Sequence, residues 1–454
     1  MGTSLMSNKL NIIILAAGEG TRMRSDKLKV LHPLADSTII EQVLQTCQQL
    51  SPQKIIMVYG HLGKQLKLHL QDKTLIWVAQ VNPQGTGHAV QLAMPYVDAD
   101  AKVLVLVGDA PLIQANDLTR MLQHPQAVIT AQLDEPYGYG RIIKNTAGLV
   151  SAIIEEKDAN TSQRQIKEVN SGIIMAAATD LQTWLPQIDK NNSQKELYLT
   201  DILAIAHKHN RSFHAIKVTN SHTIKGINNR VQLAECEAIK QIQLKEQLML
   251  QGVYMPEPNS VQIRGKVDCG QDITMDVGVV LQGYNQIGNN VTIGAYAIIK
   301  NCKLGENTRI APHSVLEGVI TSGDCDIGPF ARLRAGTRLA EKAKVGNFVE
   351  TKKTTIGYNS KASHLTYLGD CEIGDNVNIG AGTITCNYDG VNKFKTIIED
   401  NVFIGSDTQL IAPVTVGKGA TIGAGTTLTK DAQAEKLTIS RTKQRTIEGW
   451  NKPK

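Results

Sequence analysis

The sequence predicts two unlike halves: an α/β, Rossmann-like N-terminal domain, then a long connecting helix, then a C-terminal left-handed parallel β-helix of hexapeptide repeats. Three observations carry this. Short β-branched runs alternate with helical stretches from Leu10 to Gln132. A glycine-rich turn follows the first of those runs. From about Ile263 to Asp431 an aliphatic residue recurs every six positions, followed by a small or polar residue that is often Gly.

The runs Leu10–Leu15, Lys54–Tyr59, Leu75–Ala79, Lys102–Val107 and Ala127–Gln132 read as short buried strands. Strands that alternate with helices build a mostly parallel sheet with helices on both faces. Ligands of such sheets sit beyond the C-terminal strand ends. The stretch from Asn229 to Gln251 carries Val231, Ala234, Ala238, Ile242 and Met249 at helical spacing, which predicts one long connecting helix. Met255-Pro-Glu-Pro258 ends it.

The hexads then set the second architecture. Ile287 to Leu304, Ile293 to Ile310 and Ile299 to Leu316 are each 17 apart; Ile327 to Val345 and Ile404 to Ile422 are each 18 apart. Three hexads close one coil, each forming one flat face of a prism, with the aliphatic residues stacked inside. Residues 6–228 are thus expected to form the α/β domain, 229–251 the linking helix, and 252–454 the β-helix with its tail.

At 454 residues the chain is too long for one core. A net charge of +6, with no Lys/Arg block, suits anionic small substrates and gives no reason to expect nucleic acid. No apolar run reaches spanning length, so no membrane insertion is expected. The seven cysteines contain no Cys-x-x-Cys and read as free thiols in a reducing, cytoplasmic setting.

Chemistry concentrates at the strand ends. The first strand runs into Ala16-Ala-Gly-Glu-Gly-Thr-Arg-Met23, whose glycines let backbone N–H groups approach phosphates. Gly-Lys-Ser/Thr is absent, so this is not a P-loop. Val103-Leu-Val-Leu-Val-Gly-Asp109 is an apolar strand ending in a carboxylate, well placed for Mg²⁺. Gln80 and Gly85-Thr86-Gly87 follow another strand and could read a nucleobase edge. Tyr137-Gly-Tyr-Gly140, Glu155, Asn170 and Asn228 are polar residues at predicted strand or loop ends.

The string L-A-A-G-x-G-T-R-M followed by Lys29-Val-Leu-His32 resembles the signature of the sugar-phosphate nucleotidyltransferases (nucleotide-diphospho-sugar transferases). From about Leu10 to Trp450 the chain resembles the family of bifunctional bacterial N-acetylglucosamine-1-phosphate uridyltransferases/glucosamine-1-phosphate acetyltransferases. That resemblance implies that residues 6–228 transfer a uridylyl group from UTP to N-acetylglucosamine 1-phosphate, releasing pyrophosphate. It implies that Leu15, Ala16, Ala17, Gly18, Arg22, Lys29, Gln80, Gly85, Thr86, Val107, Gly108 and Asp109 serve the nucleotide and Mg²⁺. Gly140, Glu155 and Asn170 would hold the sugar, and Asn228 would share the metal with Asp109. Val107 stands where a Tyr or another polar residue is expected. Two polyanions must meet in this reaction, so Mg²⁺, Arg22 and Lys29 are the expected charge stabilisers.

Three breaks in the hexads point to a second site. His364 lies on a coil in Ala362-Ser-His-Leu-Thr-Tyr-Leu368. The segment Thr385-Cys-Asn-Tyr-Asp-Gly-Val-Asn-Lys-Phe-Lys-Thr396 has no aliphatic repeat and must leave the prism as a loop. Arg332, Arg334, Lys352 and Lys353 suit a sugar phosphate. The resemblance implies an acetyltransferase with His364 as general base and Arg334, Lys352, Tyr367, Asn378 and Lys393 on glucosamine 1-phosphate. Ala381, Asn387, Tyr388, Ser406, Ala424 and Arg441 would contact acetyl-CoA. An imidazole, which generally titrates near ~6.5, is matched to deprotonating an amine that attacks a thioester. Glu350 is expected to orient its ring. The resemblance further implies a homotrimer with acetyl-transfer sites between subunits, feeding peptidoglycan and lipopolysaccharide synthesis. The alternative is a nucleotidyltransferase whose β-helix only assembles or regulates. A hexapeptide-repeat carbonic anhydrase needs three zinc histidines; the repeats hold only His313 and His364.

Overall fold

A computed structural model describes residues 9–18, 20–440 and 443–451. The chain forms two compact units, Met1–Lys240 and Gln241–Lys454.

In the first unit the five expected strands lie at Leu10–Ala16, Lys54–Tyr59, Ile76–Ala79, Lys102–Val107 and Ala127–Gln132. They share a sheet with Glu168–Ala177 and His214–Lys217. Its order is His214–Lys217, Ala127–Gln132, Glu168–Ala177, Lys102–Val107, Leu10–Ala16, Lys54–Tyr59, Ile76–Ala79. Glu168–Ala177 is antiparallel to both neighbours, while the other pairs along this order are parallel. It follows a hairpin, Arg141–Lys144 with Val150–Ile154, that returns the chain to the sheet in the opposite sense.

Strand alternation divides the core. Ile12, Ile14, Met57, Leu104 and Leu106 pack on one face with Ile40, Val43 and Leu44 of the helix Ile39–Gln48. Ile13, Ile56, Val58, Val103 and Val105 pack on the other with Ala89 and Val90 of Thr86–Ala93 and Ile202 and Leu203 of Asp201–Lys208. Helices therefore cover both faces, and the C-terminal strand ends are left open.

The second unit is a parallel β-helix. One face is an 11-stranded sheet, and the other two form a 17-stranded sheet in which each strand also pairs with one a coil away. The spacings become registers: Ile287 pairs with Leu304, Ile293 with Ile310, Ile299 with Leu316, Ile327 with Val345 and Ile404 with Ile422. The hexad aliphatics Ile287, Ile293, Leu304, Ile310, Ile327, Ile373, Ile379, Ile404, Leu410, Val416, Ile422 and Leu428 are all buried in one continuous core. Beyond Cys371 the register jumps: Cys371 pairs with Thr396 and Ile379 with Ile404, 25 positions on. The excess residues form the loop around Asn387–Phe394. It is pinned by the Phe394 N–H on the Asn387 carbonyl at 2.8 Å and by a Tyr388–Lys393 bridge.

The expected long helix is Arg230–Leu250, and most of its evenly spaced apolar residues do not form its inward face. Val231, Ala234, Ala238 and Ile242 are exposed. Leu233, Cys236 and Ile239 instead pack with Leu34, Ile39, Leu112 and Ile227. Leu248 joins the β-helix core, and Gln241 and Lys245 are buried. The reason is what the second stretch covers: the first coil offers backbone groups that need partners. Gln241 answers both, donating to the Ile263 carbonyl at 2.6 Å and accepting from its N–H at 3.0 Å. Lys245 donates to Val261 at 3.5 Å. Polar residues therefore face inward here, where backbone groups need partners.

Candidate active sites

In the first unit, two clefts open at the C-terminal strand ends. The first, of about 270 Å³, is lined by Leu15, Ala16, Ala17, Gly18, Lys29, Gln80, Gly85, Thr86, Val107 and Asp109, with Pro83 and Glu196 at its rim. The second, of about 440 Å³, takes in Arg22, Val107, Asp109, Tyr137, Tyr139, Ser171, Asn228 and Gln232. Val107 and Asp109 line both. Arg22 thus belongs to the second cleft, on the other side of Asp109 from most of the Gly-rich turn.

Between the clefts stands a buried cation. The Lys29 ammonium lies 2.5 Å from Asp109 Oδ2 and 3.1 Å from Asn228 Oδ1. Asp109 and Asn228, expected to share a metal, do converge, and the group they converge on here is Lys29. A carboxylate and an amide oxygen aimed at one positive centre form a hard-oxygen pair that fits Mg²⁺ with phosphate and water completing its shell. Gly108 sits between strand end and carboxylate, its N–H donating to the Leu15 carbonyl at 2.8 Å.

The Gln80–Thr86 turn is built tightly. Gln80 is buried and its amide donates to the Gly85 carbonyl at 3.1 Å. Gly85 has φ 112°, and a Cβ there would strike the Leu197 carbonyl oxygen at 2.5 Å, so no other residue fits. Thr86 accepts from the Leu199 N–H at 3.0 Å. Its hydroxyl is therefore an anchor for the 197–199 segment, a role the sequence did not suggest.

Gly140, Glu155 and Asn170 come together as expected. The Asn170 N–H donates to the Gly140 carbonyl at 2.9 Å, and a side chain at Gly140 would crowd Ile153 and Glu155. Thr200, which the sequence did not single out, donates to Glu155 Oε1 at 2.9 Å. Burial pushes the Glu155 carboxyl up, and the Thr200 hydrogen bond only partly offsets it. Below Glu155, Asp201 is pushed up to about 6 by burial and then by Asp189, Glu155 and Asp158.

In the second unit, His364 pairs in register with Asn347 on the preceding coil, and its Nδ1 lies 2.5 Å from Asn347 Oδ1. An amide oxygen only accepts, so Nδ1 donates this bond, and in the neutral ring Nε2 is the nitrogen left to accept. Asn347 therefore orients the ring, not Glu350. Glu350 is taken by Arg334, at 2.9 Å. Asn347 was within reach of the sequence, because it lies one 17-residue coil before His364.

Arg334, Glu350, Lys352 and Tyr367 lie on paired strands of one face. Lys393 reaches them from the loop: its head group, ahead of Arg334, pushes the Lys352 ammonium below the usual lysine range, while Asp370 pulls it back. Three cationic side chains are thus crowded on one face. A Cβ at Gly369 would collide with the Tyr367 ring, so that glycine gives the ring its place.

Asn378 is not brought to this cluster. It pairs with Lys361 and Phe403 on the 11-stranded face, across the corner from Tyr367. Ala381, Ser406 and Ala424 do stack with Asn347 and His364. Each stands two positions beyond one of the inward residues Val345, Ala362, Ile379, Ile404 and Ile422, which are in register. Tyr388 is exposed on the loop, but Asn387 is buried and donates to Asp370 Oδ2 at 2.5 Å, so it holds the loop base. Arg441 lies outside the described residues. Among the described residues, no helix is long and apolar enough to cross a membrane.

Comparison with known families matches this division. Residues 12–169 match the MobA-like NTP transferase domain. Residues 263–367 match the GMPPB C-terminal domain, and residues 395–430 match the bacterial transferase hexapeptide family of six repeats. The chain thus joins a nucleotidyltransferase domain to a β-helix of transferase hexapeptide repeats.

Proposed function

We propose that the chain makes a UDP-N-acetyl sugar in two steps. The β-helix transfers an acetyl group from acetyl-CoA to glucosamine 1-phosphate. The α/β domain then joins the product, N-acetylglucosamine 1-phosphate, to the uridylyl group of UTP and releases pyrophosphate. The observation that carries the two-step reading is His364. Its Nδ1 is tied to Asn347, which leaves Nε2 as the outward nitrogen, and the Arg334–Lys352–Lys393 cluster lies on the adjoining face. A merely structural β-helix has no use for that arrangement.

In the acetyl transfer, Arg334, Lys352 and Lys393 bind the phosphate, His364 Nε2 takes a proton from the attacking amine, and CoA leaves as the thiol. In the uridylyl transfer, the sugar phosphate oxygen attacks the α-phosphorus of UTP in line with the departing pyrophosphate. Lys29 and Arg22 flank that path and offset its charge. Mg²⁺ held by Asp109 and Asn228 would supply further neutralisation of the phosphates. Glu155, Asn170 and Gly140 hold the sugar.

The acetyl site is supported as one shared between copies. Its expected residues lie on two faces of a convex prism, Asn378 on one and Tyr367 on the next. Along the corner between them runs a stack of rings, Tyr296, His313, Phe330 and Phe348, with centroids 4.9–5.4 Å apart. Phe348 is 56% exposed. A homotrimer accounts for both. The alternative is a sugar-1-phosphate nucleotidyltransferase whose β-helix only assembles or regulates.

The test is a two-step assay. Glucosamine 1-phosphate with acetyl-CoA is followed by free CoA; UTP and Mg²⁺ are then added and pyrophosphate is followed. Both signals are expected, and Asp109→Ala should abolish only the second. Pyrophosphate release from supplied N-acetylglucosamine 1-phosphate without any CoA release would establish the regulatory reading instead.

A further inference from the structure

The first turns of the long helix are bound into the nucleotidyl site. Gln232 Oε1 accepts the backbone N–H of Asn228 at 2.8 Å, and the same Gln232 lines the second cleft beside Asn228 and Asp109. Its own N–H is held by the Asn229 side chain at 2.9 Å, which caps the helix. Arg230 donates to the Met23 carbonyl, in the Gly-rich segment, at 3.3 Å. Glu237 accepts from the Ala35 N–H at 2.7 Å. Asn228, the Met23 turn and, outside both clefts, the turn at Ala35 are thus anchored to one helix.

We infer that Gln232 is a positioning residue for the metal-and-phosphate centre: by holding the Asn228 backbone, it fixes the amide oxygen that meets Lys29 opposite Asp109. The inference rests on the nucleotidyl reading above. Asn228 follows Gly226 in a short connection after the Ser221–Ile224 turn. The Ile227 N–H on the Asp109 carbonyl, at 2.8 Å, holds that connection from one side, and Gln232 holds it from the other. Without the Gln232 acceptor the Asn228 N–H loses its partner, and the peptide that carries the amide is free to rotate. Groups behind a metal ligand typically contribute about 10–100-fold in metal affinity.

The variant Gln232→Met removes the acceptor and leaves the cap, because the Asn229 side chain binds the backbone N–H of position 232. Gln232→Glu keeps an acceptor at the same reach. In the full chain, two quantities are measured. One is the Mg²⁺ concentration for half-maximal pyrophosphate release. The other is the Mn²⁺ affinity in the presence of UTP alone, read by the loss of the free-ion electron paramagnetic resonance signal. Gln232→Met should weaken both about tenfold, with a thermal midpoint near wild type, and Gln232→Glu, which keeps the acceptor and adds a negative charge beside the cation, should not weaken the Mn²⁺ affinity. A Gln232→Met protein with unchanged Mg²⁺ and Mn²⁺ dependence, or a Gln232→Glu protein that loses as much as Gln232→Met, would overturn the inference. Failure of the nucleotidyl reading itself shows differently, as wild-type protein that releases no pyrophosphate.

Discussion

At the scale of single residues, the charges that matter are those the fold places under constraint. Asp201 opens the helix Asp201–Lys208, where a carboxylate is favoured by ~0.3–1 kcal/mol. Burial and three neighbouring carboxyls work against it and raise its carboxyl to about 6. A raised folded value contributes stability that is fully present below the unfolded value, ~3.9, and is lost as pH rises through about 6. Asp201→Asn should therefore match wild type in urea unfolding near about pH 4 and exceed it at about pH 8. A wild-type advantage at high pH would show that the helix terminus outweighs burial. His364 gives the second residue-scale prediction. His364→Ala should lower acetyl transfer by ~10²–10⁴-fold and leave uridylyl transfer intact. Asn347→Ala removes only the orienting bond, worth ~1 kcal/mol, and should cost about fivefold. Near wild-type acetylation by His364→Ala would make it a structural histidine. The motif residues were legible because their types and spacing announce charge and backbone approach. Asn347, Thr200 and Gln232 were not read. Each acts through a neighbour brought to it by register or by a distant strand, and only for Asn347 does a coil length give the partner away.

At the scale of elements, a period that matches the geometry is nearly sufficient. The 17- and 18-residue spacings translate directly into pairs because each coil adds the same three faces, and a one-residue slip would turn the aliphatic set outward. The 25-residue coil was foreseeable as a loop for the converse reason: Asn387–Phe394 has nothing to place inside. Such a solenoid stores its stability in contacts between adjacent coils. Leu333 is fully buried between Leu316 and Thr351 in register. Leu333→Ala should cost ~2–5 kcal/mol in chemical denaturation. A cost below ~1 kcal/mol would mean the coils close over the gap. Periodicity foretells the long helix but not its buried side. Of the five spaced apolar residues Met249 packs on the β-helix core, while the groups that the helix covers at its second half are backbone donors and acceptors, which Gln241 and Lys245 serve better than valine or isoleucine would. The antiparallel strand Glu168–Ala177 was equally hidden, since its local composition resembles that of its parallel neighbours and only the preceding hairpin sets its direction.

At the scale of the whole molecule, the question is where one activity ends and the other begins. The sequence places the passage in the stretch from Asn229 to Gln251, but it does not say which turns of the helix serve which core. The structure associates Leu233, Cys236 and Ile239 with the first core, and Gln241, Lys245 and Leu248 with the β-helix. Gln232 and Glu237 also hold the backbone at Asn228 and Ala35. Two fragments separate these contributions. A chain ending after Lys240 keeps every one of the first core's anchors and should release pyrophosphate from UTP and N-acetylglucosamine 1-phosphate at close to the full-length rate. A chain ending at Arg230 loses the Cys236 packing, the Glu237 bond and the Gln232 acceptor. Burial of one such apolar side chain contributes ~1.5–3 kcal/mol, so the shorter fragment should unfold at lower urea. It should also need more Mg²⁺ at temperatures where it is still folded. Both fragments are compared by circular dichroism and by pyrophosphate release. If the two match in midpoint and in Mg²⁺ requirement, the first turns of the helix contribute nothing to the nucleotidyl site. If the longer fragment is folded and inactive, the uridylyl reaction depends on groups beyond Lys240.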